Sequence, residues 1–354
     1  MKKHSLQRRS IVTTTDSTQV TVPASHILIA VKAVGLSDLN VTAPYGMARF
    51  ARKSNSGSPF GSSFVGTISR VGKSCSKFRD GDQVMGLLVN PLADSCLSPL
   101  ICVPERVCAL HSSQIGASEA ASLIVDAMIA ERTLRLVKAS DADSILITGG
   151  TTPLARAIIE VAKSSMFGVE WIASTVGPSF EDREYAESLG ADETFDVSCN
   201  KGNWSKPFES GVNKKSYEIV IDIVGDSKHA KRLLKTDTGR FTSLFNKPTP
   251  EEILDFNSRV GEDFLNPTSL RILRSTVFSN LYTGCSGRRR KLPHYFSVLP
   301  SGDGEILERL TVLMDTGVLT PVIDKRLSVD DVPKELEDLK KNRFKSRGRL
   351  VVEF

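Results

Sequence analysis

Seven consecutive residues, Gly149-Gly150-Thr151-Thr152-Pro153-Leu154-Ala155, carry the clearest chemical signal in this chain of 354 residues. A glycine turn that opens a helix binds pyrophosphate because its backbone N–H groups point outward and the helix dipole favours negative charge there. Gly149 fills the first place of a G-x-x-G-x-x-G spacing, while Thr152 and Ala155 stand in the second and third. Pro153 removes one N–H and Thr152 adds bulk, so affinity is expected to fall below that of a fully glycine-lined turn. The Thr151 and Thr152 hydroxyls are expected to donate to phosphate oxygens as partial substitutes. An NAD-specific site places an acid at the end of the second strand to hold the ribose 2′-hydroxyl. Here that place reads Ser174-Thr175, then Val176-Gly177-Pro178, which favours NADP. Arg183 is the nearest cation for a 2′-phosphate, its plain alternative being an exposed arginine at a helix start.

Other chemistries find no comparable pattern. His4, His26, His111, His229 and His294 are isolated, and Cys96, Cys102 and Cys108 do not form a C-x-x-C knuckle, so no metal site is expected. No G-x-S-x-G elbow occurs, and Gly61-Ser62-Ser63 precedes a strand rather than a helix, which argues against a serine hydrolase.

The elements around the turn give it its context. Ser144 to Thr148 reads as a short buried strand, Pro153 to Ser165 as a helix whose proline suits the first turn, and Val169 to Ser174 as a second strand. A helix from Glu181 to Leu189 stops at Gly190. Strand, glycine turn, helix and strand make a βαβ unit of Rossmann type, which leaves the first helix start beside the strand ends. Ile219 to Ile223 and Phe241 to Phe245 continue the style, and His294 to Leu299 reads as a last strand after a less regular insertion between Pro248 and Ser275. Residues 19–116 read instead as short strands and turns of a small, mostly β domain. A helix from Ser118 to Lys138 follows, with Ser118 as N-cap and Glu119 and Glu131 exposed. Another helix runs from Gly304 to Met314, and Leu350 to Phe354 closes the chain as a strand.

Bulk properties narrow the class. A chain this long exceeds one ordinary core, so two domains are expected. No apolar run approaches the roughly 18 residues a membrane-spanning helix needs. A net charge of +5 falls short of a nucleic-acid signature, and the run Arg288-Arg289-Arg290-Lys291 lacks interleaved aromatics. Six scattered cysteines fit reduced thiols better than a disulfide framework. The first fifteen residues hold Lys2, Lys3, Arg8 and Arg9 with no acid before Asp16, the composition of a mitochondrial presequence, with a cytoplasmic protein as the alternative.

Eight segments in order carry a family resemblance: Val31-Lys32-Ala33-Val34-Gly35; Gly61 through Gly66 and Val71-Gly72; Phe78 through Val84; Ala120-Ala121-Ser122-Leu123; the turn at Gly149; Leu189-Gly190-Ala191-Asp192; Asp222-Ile223-Val224-Gly225; and Arg347 through Val351. On these the chain resembles the medium-chain dehydrogenases/reductases, in their zinc-free quinone-oxidoreductase branch. Met314 through Gly317, Pro321 through Asp324 and Val332-Pro333 are similar to the mitochondrial reticulon-4-interacting protein group.

The resemblance implies an α/β protein with a GroES-like, mostly β catalytic domain formed by residues 1–117 and 300–354. Residues 118–299 would form a Rossmann domain with a doubly wound parallel sheet. It implies NADPH as cofactor, hydride transfer to a small-molecule quinone or enone, and no nucleic-acid partner, and it admits a homodimer. The catalytic cysteine of zinc-dependent relatives falls near Gly35 to Ser37 and their His-Glu pair at Ser62-Ser63. Ser37, Asn40 and Tyr45, on the segment resembling the substrate loop, are candidates to hydrogen-bond the oxygen that gains charge, against the plain alternative of turn-forming polar residues. Val224-Gly225 and Phe245-Asn246 would line the nicotinamide side. Ser37 stands where quinone reductases carry Asn, and Ile129 where relatives carry Thr near nicotinamide. Those departures and the depleted turn support a rival of another class, a catalytically weak or inactive nucleotide-sensing or scaffold protein acting through partners.

Overall fold

The computed structural model describes residues 20–36, 61–88, 95–112, 114–244, 294–295, 302–335 and 346–354. The chain divides into two compact units, one of Met1–Met128 with Pro300–Phe354 and the other of Ile129–Leu299.

In the first unit the strands are β1 (His26–Leu36), β2 (Ser63–Val71), β3 (Gln83–Leu87), β4 (Leu100–Pro104) and β5 (Cys108–Leu110), joined near the chain's end by β12 (Ile323–Leu327) and β13 (Arg349–Glu353). They form one sheet in the order β12-β13-β1-β2-β3-β5, with β4 also on β1. Every pairing is antiparallel except that of β12 with β13. Its core gathers Ile27, Ile29, Phe64, Ile101, Val103 and Val352, all fully or almost fully buried. β3, β4, β5 and β12 are too short or too charged to stand out by periodicity, and their strand character comes from pairing with β1, β2 and β13.

Helix α1 (Ala117–Leu136) crosses the unit boundary, which falls after Met128. Two expectations about it fail. Ser118 lies inside the helix, buried, and its hydroxyl donates to Glu353 Oε1 at 2.5 Å rather than capping. Glu131 is buried, not exposed, and its Oε1 accepts from Arg135 Nη2 at 2.6 Å, so an i,i+4 pair answers one oxygen of the carboxylate that periodicity assigned to solvent.

In the second unit β6 (Ser144–Ile147), α2 (Pro153–Lys163), β7 (Trp171–Val176), α3 (Phe180–Ser188), β8 (Glu193–Asp196), β9 (Ile219–Asp222), α4 (Ser227–Ala230), β10 (Arg240–Ser243) and β11 (His294–Tyr295) follow in chain order. The sheet runs β11-β10-β9-β6-β7-β8, all parallel. Counted within the sheet this is 3-2-1-4-5-6, the doubly wound order whose switch point lies between the first and fourth strands, here β6 and β9. Ile145 to Ile147 and Ile219 to Asp222 are buried throughout, because a parallel sheet covered on both faces needs apolar runs rather than alternation. Helix α5 (Gly304–Asp315) belongs to the first unit and is capped by Asp303, which accepts from the Glu305 and Ile306 amides. The insertion between Pro248 and Ser275 lies outside the described residues.

Five cysteines in the described residues are free thiols. Burial pushes the Cys96 and Cys108 thiols far up and holds Cys102 at about 11, whereas Cys199 is exposed. Only a thiolate alkylates at a useful rate. Iodoacetamide at pH 8 is therefore expected to modify Cys199 in the native protein and to reach Cys96 and Cys108 only after unfolding, as peptide mass spectrometry would read; native labelling of Cys108 would contradict this packing.

Candidate functional site

The turn after β6 sits at the switch point, and two constraints make Gly149 a glycine. Its φ is +75°, and a Cβ there would collide with Val224 Cγ1 on the loop after β9. At Gly150 a Cβ would run into Ser174 Oγ. Most hydrogen-bonding groups of the turn are engaged within the fold. The Gly149 N–H donates to Thr175 Oγ1 at 2.9 Å, the Gly150 N–H to the Thr175 carbonyl at 2.8 Å, and the Thr152 N–H to the Gly149 carbonyl at 3.0 Å.

Thr152 is the N-cap of α2, accepting from the Ala155 N–H at 3.2 Å while its hydroxyl donates to the Gly149 carbonyl at 2.9 Å. That corrects the expectation for this hydroxyl: its one proton is used inside the turn and none remains for a phosphate. Pro153 is buried at the first helical position and brings no N–H. Thr151 and Leu154 differ from these neighbours. Both are partly exposed, and among the described residues neither backbone N–H has an intramolecular partner.

β7 continues two residues beyond the sequence-based end, because Thr175 and Val176 pair with Phe195 and Asp196 of β8. Ser174 and Thr175 therefore lie inside the sheet, fully or almost fully buried. Ser174 Oγ donates to the Ile147 carbonyl at 3.1 Å, and Thr175 holds the glycine turn as described. These two side chains brace the turn instead of facing a ribose. The strand's exit is Val176-Gly177-Pro178, after which Ser179 caps α3 by accepting from the Asp182 N–H at 3.0 Å. Asp182 folds its carboxylate back over the exit: a Cβ on Gly177 would meet its Oδ2 at 2.5 Å. Arg183 is exposed on the same first turn, and its charge helps hold the Asp196 carboxyl below its ordinary range, after the larger effect of hydrogen bonds from Ser198.

Asp222, at the end of β9, organises the other side of the switch point. The carboxylate is fully buried. Its Oδ1 accepts from the Thr148 hydroxyl, the Gly225 N–H and the Asp226 N–H, each at 2.9 Å. Its Oδ2 accepts from the Ser227 hydroxyl at 2.7 Å and the Ser243 hydroxyl at 3.1 Å. Thr148 in turn accepts from the Ile223 N–H at 2.9 Å. One side chain thus ties the ends of β6, β9 and β10 together and fixes the Val224-Gly225 loop against Gly149. Asp226 extends the network, accepting from the buried Trp204 Nε1 at 2.6 Å and pairing with His229 Nδ1 at 2.6 Å.

Sequence reasoning brought Gly149, Gly150, Thr151, Leu154, Val224 and Gly225 to one corner, where the structure also has them. It named Asp222 only within a family motif and not as an organising residue, and it overlooked Asp182. The signal for Asp222 was an acid closing the apolar run Ile219-Val220-Ile221; for Asp182 there was none, since a first-turn acid is ordinary on any helix. Ser37, Asn40, Tyr45, Phe245 and Asn246 lie outside the described residues. Where zinc-dependent relatives carry ligands, Gly35 pairs with Ser63 across β1 and β2, and Ser63 Oγ donates to the Ala121 carbonyl at 3.1 Å. Gly35, Ser62 and Ser63 offer no thiolate, imidazole or carboxylate and do not fit a zinc ion. Among the described residues no group of three His, Cys, Asp or Glu side chains is placed to hold a metal.

Comparison with known proteins extends these observations along the chain. Residues 23–124 match the family model described as alcohol dehydrogenase GroES-like domain, and residues 189–352 match the one described as zinc-binding dehydrogenase. The mitochondrial NAD(P)H oxidoreductase RTN4IP1 of Danio rerio is 25% identical over 352 residues, covering 93% of this chain and 83% of the relative. A 2-methylene-furan-3-one reductase of Solanum lycopersicum is 25% identical over 295 residues, covering 81% of this chain but only 61% of the relative. Among solved structures, a quinone oxidoreductase from Coxiella burnetii shares the fold with a TM-score of 0.71 at 19% identity, covering 95% of this chain and 92% of that one. The first unit's sheet is accordingly a GroES-like domain and the second unit's a Rossmann-type domain, and the chain belongs to the medium-chain dehydrogenase/reductase family.

Proposed function

We propose that the chain is an NADPH-dependent oxidoreductase that reduces a quinone or the activated double bond of an enone without a metal. The observation that carries this reading is the start of α2. Among the described residues the Thr151 and Leu154 amides have no partners there, at the positive end of a helix and at the switch point of a doubly wound sheet. Those two amides fit phosphate oxygens, and Gly149 and Gly150 leave room only for the Val224 and Ser174 side chains that pack against them. A nicotinamide nucleotide held on those amides would supply the hydride for a quinone or for the β-carbon of an enone, with a solvent proton completing the reduced product. The chain's own share is to orient and to stabilise charge. Val224, Gly225, Phe245 and Asn246 would line the nicotinamide side, and Ser37, Asn40 and Tyr45 would hydrogen-bond the oxygen that gains charge.

The names of the zebrafish and tomato relatives, an NAD(P)H oxidoreductase and a 2-methylene-furan-3-one reductase, support the reaction class. The relative's mitochondrial designation and the basic, acid-free first fifteen residues support a mitochondrial location. Arg183 supports the 2′-phosphate of NADPH. Asp182 favours a second reading, NADH, because its carboxylate at the exit of β7 would accept from a ribose 2′-hydroxyl and repel a 2′-phosphate.

Titration of the purified chain with NADPH and with NADH, followed by nucleotide fluorescence, is expected to give saturable binding with NADPH the tighter. Adding a panel of quinones and enones is then expected to oxidise the bound nucleotide. Tighter NADH binding would transfer the reading to the Asp182 alternative. Absence of any binding at millimolar nucleotide would end both and leave the scaffold reading.

A further inference from the structure

Among the described residues, Arg156 is a buried cation without a partner. Its exposure is 1%, and its Nε and Nη1 are enclosed with no hydrogen bond. Nor does it join an ion pair among the described residues. An enclosed, unanswered guanidinium is strongly unfavourable, and a leucine or methionine would fill the same volume without that cost. The position on α2 says where an answering group would be. Arg156 follows the cap residue Thr152 by four, so the two lie one turn apart on one helix face. Helical side chains lean toward the helix N-terminus, and an extended arginine reaches about one 5.4 Å turn. Extended along that direction, the guanidinium would pass over Thr152 toward the amides of Thr151 and Leu154. Positive charge added to the positive end of a helix asks for an anion.

We propose that Arg156 is a phosphate-binding residue of this chain. Its guanidinium reaches a diphosphate seated on the Thr151 and Leu154 amides and replaces donors that Thr152 and Pro153 withhold from the turn. The inference rests on the reading of this corner as the nucleotide site, but requires only the phosphoanhydride, since a planar guanidinium binds phosphate oxygens in pairs. It also explains why a turn depleted of glycine retains a use for its helix start.

Isothermal titration and thermal unfolding of the full chain, with inorganic pyrophosphate, NADPH and adenosine as probes, test it in wild type, Arg156→Met and Arg156→Lys. Arg156→Met is expected to melt above wild type without ligand and to bind pyrophosphate and NADPH about 10- to 100-fold more weakly, as the loss of one charge-assisted contact predicts. Adenosine affinity should not change, and Arg156→Lys should lie between, which keeps the test open if the methionine variant does not fold. Wild-type pyrophosphate affinity in both variants would overturn the inference and leave the nucleotide reading intact. Pyrophosphate binding that depends on Arg156, without nucleotide binding, would uphold the inference and remove that reading. A wild-type chain that binds neither overturns both.

Discussion

Replacing Asp222 by alanine is expected to remove about 3–5 kcal/mol of stability from the Rossmann-type unit and to abolish nucleotide binding with it. The carboxylate is fully buried and accepts from two backbone amides and three hydroxyls. Alanine leaves all of these donors in a space with no acceptor, the costliest arrangement for buried polar groups. Asparagine should be far milder, at about 1–2 kcal/mol. Its oxygen can keep the Oδ1 place with both amides, while its NH₂ faces Ser227 and Ser243, whose hydroxyls can rotate to accept. Trp204, almost fully buried and hydrogen-bonded to Asp226, gives a local fluorescence signal for denaturant unfolding of this unit. Equal losses for alanine and asparagine would mean that the side chain acts by filling space, not by collecting donors.

The same network marks where sequence reading stops. The strand, turn and helix from Ser144 to Lys163 are legible because a parallel strand is a continuous apolar run, because Thr152 and Pro153 have helix-start chemistry, and because Gly149 needs a positive φ. Asp222 was legible as part of a motif, but not as a hub, since its donors come from residues 148, 225, 226, 227 and 243. Ser174 and Thr175 show the cost of a two-residue error. Nothing local reveals that β8 extends β7, yet that pairing moves both hydroxyls from a ribose to the back of the turn. Glu131 and Arg156 fail to announce burial for a related reason: charge on a helix is read as solvent exposure, and packing decides otherwise. Family resemblance made good part of the gap for the domain types but not for the burial and partners of these residues.

The second large effect is expected in the GroES-like unit, where Asp126 of α1 meets Arg349 at the start of β13. Arg349 Nε and Nη2 donate to the two carboxylate oxygens at 2.7 and 2.6 Å, with side-chain exposures of 6% and 3% for Arg349 and Asp126. A buried pair of this kind adds little over an apolar pair of the same volume, because desolvation offsets most of the attraction. Losing one member is different, since the other charge stays enclosed. Asp126→Leu is therefore expected to destabilise the unit by about 3–5 kcal/mol, and Arg349→Met by a similar amount. The double variant Asp126→Leu with Arg349→Met should recover most of the loss, so that the single effects are far from additive. The functional consequence runs through β13, whose Leu350 and Val351 pair with Leu36 and Gly35 of β1. β1 ends at Leu36, directly before Ser37 and the segment proposed to face the substrate. Denaturant unfolding of the four proteins gives the coupling energy, and quinone reduction in the refolded double variant gives its value to activity. If the single variants unfold like wild type, the pair is a consequence of the packing of α1 on β13 rather than one of its causes.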